Sequence, residues 1–156
     1  GVIAQVTGNE HDEMGHVSVN PVNRAKMMAK RMGKMERAAG ELPAPAYFGA
    51  EGARVGIIGF GSTWGPIREA QDLLARDGLA TRFYQARTLF PVPAATLGPF
   101  LDSVDRAYVV EHNYTGQFAR LIRETLPERS AKLRSILKYD GNSFRAPEIV
   151  RKIREG

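Results

Sequence analysis

Five side chains able to bind a metal crowd into seven residues near the start of the chain: Glu10, His11, Asp12 and Glu13, then His16 after Met14 and Gly15. A helical zinc-hydrolase site needs two histidines four apart with a glutamate beside the first, so that both rings share one helix face. Here the histidines are five apart and Gly15 lies between them. The spacing favours a loop stapled by its own side-chain hydrogen bonds over a metal site.

A second candidate is Gly59-Phe60-Gly61-Ser62-Thr63-Trp64-Gly65, which follows an apolar run. Glycines there could let a phosphate approach the backbone at a helix start. A dinucleotide fingerprint, however, needs a glycine three residues after the second one. Trp64 holds that place, Gly65 comes one too late, and no suitably placed acidic residue closes a second strand. A P-loop is excluded because no Gly-Lys-Ser/Thr follows. Ser62 and His112 could be imagined as nucleophile and base, but Ser62 lacks the Gly-x-Ser-x-Gly elbow.

Ser62, Thr63, Glu111, Asn113 and Gln117 share another property. All follow or close a short apolar run that reads as a strand, Val55 to Phe60 or Tyr108 to Val110. In open α/β sheets the crevice forms at that carboxyl edge, where the next helix N-terminus favours an anion. A structural role, bonding loop backbones to each other, is the preferred reading of these side chains. A polar crevice is the alternative.

The elements that must position them follow from pattern. A continuous aliphatic run predicts a strand covered on both faces, as in a parallel sheet. After the first run, Pro66 suits an opening helical turn, and Ile67, Ala70 and Leu74 recur at helical spacing up to Gly78. After the second, Thr115 is a possible cap, with Phe118, Leu121, Ile122 and Leu126 on one face before Pro127. Gly61 and Gly116 are expected to permit tight strand-to-helix turns. Further strands are predicted over Thr81 to Leu89 and Ser135 to Tyr139. A helix or turn-rich crossover is predicted over Thr96 to Val104, a turn at Asp140 to Asn142, and a final helix from Pro147 to Arg154. This alternation predicts a three-layer α/β/α sandwich with a mainly parallel sheet.

Upstream, the apolar Gly1 to Val6 reads as the end of a preceding element, which suggests a fragment. Thr7 to Asn20 reads as an ordered loop. Asn20 and Pro21 can open a helix with Ala25, Met28, Met32, Met35 and Ala39 in one arc and Lys26, Lys30, Lys34 and Arg37 opposite. The Met side reads as packing and the basic side as solvated surface. Gly40 to Gly52, rich in Pro, Ala and Gly, reads as a linker. The expected divisions are thus 1–40, a loop and amphipathic helix from the end of a preceding domain; 41–52, the linker; and 53–156, the sandwich domain.

At 156 residues the chain can support one substantial core. It has no cysteine, so any iron–sulfur cluster belongs to another polypeptide. No apolar stretch approaches the roughly 20 residues that cross a bilayer, and no signal-peptide pattern is present, so the chain reads as cytoplasmic with no membrane partner. The net charge is +5, but 17 acidic residues are mixed among 22 basic ones. A solvated surface is preferred over nucleic-acid binding.

Several ordered segments carry a resemblance. Thr7-Gly8-Asn9-Glu10-His11-Asp12-Glu13-Met14-Gly15, with Asn23-Arg24, Met27-Met28, Lys30-Arg31 and Lys34, resembles the segment after the pyrimidine-binding domain of 2-oxoacid:ferredoxin oxidoreductase alpha subunits. Gly59-Phe60-Gly61-Ser62-Thr63, Leu89-Phe90-Pro91-Val92-Pro93, Val109 to Gln117 and Lys138-Tyr139-Asp140-Gly141 are similar to that family's C-terminal domain, most of all in the 2-oxoglutarate type. The resemblance covers nearly the whole chain.

It implies a transketolase C-terminal-like domain with a five-stranded mixed sheet. It also implies an enzyme that oxidatively decarboxylates a 2-oxoacid to an acyl-CoA with thiamine diphosphate, magnesium and iron–sulfur clusters, passing electrons to ferredoxin. In the family the diphosphate and metal are held mainly by the beta subunit, and the activating carboxylate lies upstream in the alpha subunit. The resemblance therefore implies no catalytic, cofactor-binding or metal residue within this chain. Its partners would be the beta subunit and the rest of the alpha subunit, with ferredoxin and coenzyme A serving the whole enzyme. His11, Asp12 and Glu13 are expected near the pyrimidine domain and a subunit interface. The competing class is a stand-alone module that binds an anionic ligand or acidic protein through the crevice and the basic helix.

Overall fold

The computed structural model describes residues 6–156, so the reading of the opening residues 1–5 lies outside them. The chain forms two compact units, Gly1–Leu42 and Pro43–Gly156.

In the first unit an ordered loop precedes helix α1, Pro21–Ala38. Asn20 caps it as its residue type predicts, its Oδ1 accepting the N–H of Val22 at 2.8 Å and of Asn23 at 3.3 Å. The buried methionine is Met27, not the predicted arc, and Met28 and Met32 stay exposed. The reason is where the loop lies: Glu10 pairs with Arg24 and Arg31 and the His11 carbonyl accepts from Asn23, so the loop runs along the helix face that carries Met27.

The second unit runs β1 (Ala46–Gly49), β2 (Val55–Gly59), α2 (Trp64–Arg76), β3 (Thr81–Gln85), α3 (Ala94–Asp102), β4 (Arg106–Glu111), α4 (Gln117–Thr125), β5 (Leu133–Leu137) and α5 (Ala146–Glu155). The sheet order is β1-β3-β2-β4-β5. Val55 sits opposite both Thr81 and Arg106, and Ala107 opposite Leu133, all in parallel register. β1 alone is antiparallel, with Ala46 opposite Gln85. The expected mainly parallel five-stranded α/β/α sandwich is the observed one.

The stretch expected as a linker, 41–52, therefore contains an edge strand, and the domain begins before residue 53. The four residues Ala46–Gly49 are too few to show a period. What makes them a strand is the free edge of β3 and the packing of Phe48 on Phe83, ring centroids 5.6 Å apart. β3 also stops earlier than predicted, at Gln85, because its neighbour β2 ends at Gly59. β5 starts two residues earlier, at Leu133.

β2 is buried along its whole length, and β4 from Ala107 onward, as their aliphatic runs require. Alternate side chains feed two cores. Ile58, Tyr84 and Val109 pack under α3 and α4 with Leu97, Phe100, Phe118 and Ile122. Ile57, Phe83, Tyr108 and Val110 pack under α2 and α5 with Ile67, Leu74, Ile149 and Ile153. From β2 the chain moves one way to β3 and later the other way to β4 and β5. Right-handed crossovers then place α2 on one face and α3 and α4 on the other, which opens a crevice between β2 and β4.

Candidate functional site

At the end of β2 the chain turns through Gly61, whose φ of +53° is a glycine conformation. Thr63 Oγ1 accepts the Phe60 N–H at 3.0 Å and donates to the Phe60 carbonyl at 2.8 Å, so this side chain is spent holding the turn. A Cβ on Gly59 would lie 2.7 Å from that oxygen, which is why the strand ends in glycine.

At the end of β4 the Glu111 carboxylate is fully buried. Its Oε2 accepts the Phe118 N–H at 2.8 Å and the Asn113 Nδ2–H at 2.8 Å, while Oε1 accepts the Ala119 N–H at 3.0 Å. Asn113 Oδ1 in turn accepts the Gln117 N–H at 3.1 Å. The N-terminal donors of α4 are thus met from the strand end, and the expected cap, Thr115, plays no such part. Gly116, in the left-handed region at φ +64°, occupies the cap position instead. A single carboxylate closing an apolar run just before a helix was the signal for this arrangement. The pairing of anion and helix N-terminus is favourable on both hydrogen-bond and dipole grounds.

Ser62, Thr63, Glu111, Asn113 and Gln117 line one cavity of about 390 Å³, together with His112 and the apolar Phe60, Leu89 and Leu121. A second cavity of about 480 Å³ shares Ser62 and His112 and runs on to Lys138, Tyr139 and Asn142. His112 Nε2 accepts the Phe144 N–H at 3.2 Å, and its ring packs on Phe144 at 4.7 Å. That lone pair is therefore occupied, which argues against a Ser62–His112 nucleophile and base. Lys138 Nζ is held by Glu148 at 2.7 Å, and this contact, with the Arg145 N–H, holds the Glu148 carboxyl below the ordinary glutamate value.

His11, Asp12 and Glu13 lie in the other unit. Asp12 Oδ1 accepts the N–H groups of Met14 and His16, each at 2.9 Å. The His16 and Met14 amides keep its carboxyl acidic. His11 Nδ1 is 2.8 Å from the Asp12 carbonyl, and the His11 carbonyl accepts from Asn23 Nδ2 at 3.0 Å. Glu13 pairs with Lys26 at 2.7 Å, and that lysine lowers its pKa. Arg31 first and then Arg24 pull the Glu10 pKa down to about 2. The loop is stapled by its own side chains, as its spacing suggested.

A magnesium diphosphate needs free, pre-organised oxygen ligands. In the crevice the Glu111 oxygens and Asn113 Oδ1 already accept hydrogen bonds, and in the loop Glu10, Asp12 and Glu13 are committed to cations and backbone donors. These committed side chains do not fit thiamine diphosphate or its metal. They offer no thiolate for an iron–sulfur cluster either.

Residues 53–149 match the family model for the pyruvate:ferredoxin oxidoreductase core domain II. The alpha subunit of 2-oxoacid:ferredoxin oxidoreductase 2 from Aeropyrum pernix is 37% identical over 96% of this chain and 24% of its own length. The 2-oxoglutarate oxidoreductase subunit KorA of Mycobacterium tuberculosis is 33% identical over 90% of this chain and 20% of its own. The chain thus spans about a quarter of the length of such relatives. Among solved structures, the 2-oxoglutarate:ferredoxin oxidoreductase of Magnetococcus marinus, with 2-oxoglutarate, coenzyme A and succinyl-CoA bound, superposes with a TM-score of 0.80. The identity is 32%, over 98% of this chain and 26% of that one. A split-gene transketolase superposes at 0.60 with 19% identity over 70% of this chain and 40% of its own, a likeness of fold alone. No helix among the described residues is long and apolar enough to cross a membrane. With the α/β/α core, the β2–β4 crevice and the stapled loop all falling within one continuous match, the chain belongs to the 2-oxoacid:ferredoxin oxidoreductase family, as part of its alpha subunit.

Proposed function

We propose that these residues form an assembly element of a cytoplasmic enzyme that oxidatively decarboxylates a 2-oxoacid, with 2-oxoglutarate the favoured substrate, to an acyl-CoA. Thiamine diphosphate, magnesium and iron–sulfur clusters are carried by the beta subunit and the rest of the alpha subunit, and ferredoxin takes the electrons. The observation that carries this reading is the match over 98% of the chain to a 2-oxoglutarate:ferredoxin oxidoreductase. The commitment of Thr63, Glu111 and Asn113 to backbone groups supports a structural rather than a catalytic part. The Glu10 to Gly15 loop serves the neighbouring pyrimidine domain and subunit interface.

The test is reconstitution. The full alpha subunit with its beta subunit is expected to reduce viologen with 2-oxoglutarate and coenzyme A, and more slowly with pyruvate. The chain of 156 residues is expected to stay at background and to show no saturable binding of thiamine diphosphate and magnesium at micromolar cofactor in calorimetry. Turnover by this chain with the beta subunit alone would mean that catalytic residues lie inside it.

A further inference from the structure

In the Pro43–Gly156 unit the strands β2 to β5 run parallel, so the loops after them gather at one edge of the sheet. Each of those segments leaves one aromatic side chain in water: Trp64 at 42%, Phe90 at 58%, Tyr114 at 71% and Tyr139 at 64% exposure. Among the described residues of this unit the other exposed large hydrophobic is Tyr47, on β1. Tyr114 and Tyr139 already meet edge to face, with ring centroids 4.7 Å apart, beside the cavity that Tyr139 lines. The opposite edge is different in kind. There Arg54 pairs with Asp105, Arg129 with Asp102 at 2.8 Å, and Arg154 with Asp77. Scattered apolar side chains are ordinary on a surface, but aromatics collected at one edge mark an interface, where such rings supply most of the binding energy.

Charge and chain length identify the occupant. The same loops carry Arg87 and Arg145, while Lys138 is already paired with Glu148 and Asp140, so the rim keeps a net positive charge. Two copies meeting edge to edge would oppose like charges, so the rim fits an acidic surface with apolar pockets. In the relatives about three quarters of the alpha subunit lies outside the matched part, since the match spans 24% of that length, and this polypeptide is tethered at high effective concentration. We propose that the carboxyl edge of the sheet docks onto an acidic, pocketed face of the alpha-subunit polypeptide outside these residues, with the Tyr114–Tyr139 pair and Phe90 as anchors. This rests on the assembly role proposed above.

Hydroxyl-radical footprinting of the 156-residue chain, the full alpha subunit and the alpha–beta complex tests it. Trp64, Phe90, Tyr114 and Tyr139 are expected to oxidise about tenfold more slowly in the full alpha subunit than in the chain, with Leu79 at the amino edge changing less than about twofold. Tyr114→Ser with Tyr139→Ser should restore fast oxidation at Phe90 in the full subunit and leave the melting temperature of the chain unchanged. Equal oxidation of the rim in both polypeptides overturns the proposal. So does protection that needs the beta subunit, or protection within the chain that grows with its concentration as a dimer forms. A fall in the chain's melting temperature would place the tyrosine pair in the domain's own packing and also overturn it. Turnover by the same alpha–beta preparation with an unprotected rim removes the docking proposal alone. A protected rim in a preparation without turnover removes the functional reading alone.

Discussion

The Glu111 carboxylate accepts the backbone N–H of Phe118 at 2.8 Å, joining the end of a buried strand to the first turn of the helix that follows it. The same carboxylate takes the Ala119 N–H and the Asn113 amide. Glu111→Ala would orphan the buried N–H groups of Phe118 and Ala119, whereas the half-buried Asn113 amide can turn to water. A loss of about 2–4 kcal/mol in unfolding free energy is expected, since buried donors left unmet each cost about 1–3 kcal/mol. Glu111→Gln keeps one acceptor and should lose less. Urea unfolding of both variants checks the order, and equal losses would show that one retained acceptor does not hold the turn.

Gly116 makes the turn possible. Its φ of +64° disfavours any Cβ, and one built there would lie 3.3 Å from Ser135 Oγ. Gly61 has a similar φ but open space around its Cβ position. Gly116→Ala should therefore cost more than Gly61→Ala, whose cost is the backbone term of about 1–2 kcal/mol. Thermal melts of the two variants measure the difference, and the reverse order would contradict the geometry.

The loop of the first unit should be acid-sensitive in a defined window. The Glu10 pKa falls from the ordinary 4.5 to about 2 because Arg31 and Arg24 bind its charged form. A depressed carboxylate pKa stabilises the folded state above the unfolded value, and that contribution is lost as pH falls from about 4.5 through about 2. Amide NMR shifts of Ser18, which donates to the Glu10 carbonyl, should change as pH falls toward about 2, where the folded-state carboxyl takes its proton. Glu10→Gln should remove most of that movement. A transition centred near neutrality would point to a different group.

Proteolysis should separate the units. Their boundary falls between Leu42 and Pro43, and Ala46 to Gly49 is tied into the sheet by β3. Glutamate-specific cleavage is expected at Glu41 before Glu51, which lies in the turn closing β1 onto the domain. Faster cutting at Glu51 would mean that β1 is not held.

The linear chain made much of this legible. Val55 to Gly59 and Tyr108 to Val110 are aliphatic without alternation, a pattern that only a doubly covered strand satisfies, and Gly61 and Gly116 stand where a left-handed turn is needed. Asn20 and Pro21 mark a helix start through strictly local chemistry. Each of these depends on neighbours in sequence, so the residues themselves carry the information. Other features depend on partners far away in the chain. Ala46 to Gly49 became a strand because β3 offered an unpaired edge, and Met27 was buried because the loop, held by Glu10 and His11, lies along its face of the helix. Glu111 was legible as a carboxylate bonding loop backbones at the strand end, but not which amides it takes, those of Phe118 and Ala119. Burial and hydrogen-bond commitment are properties of which surfaces meet, and that was decided when strands β2 and β4, some fifty residues apart, came side by side.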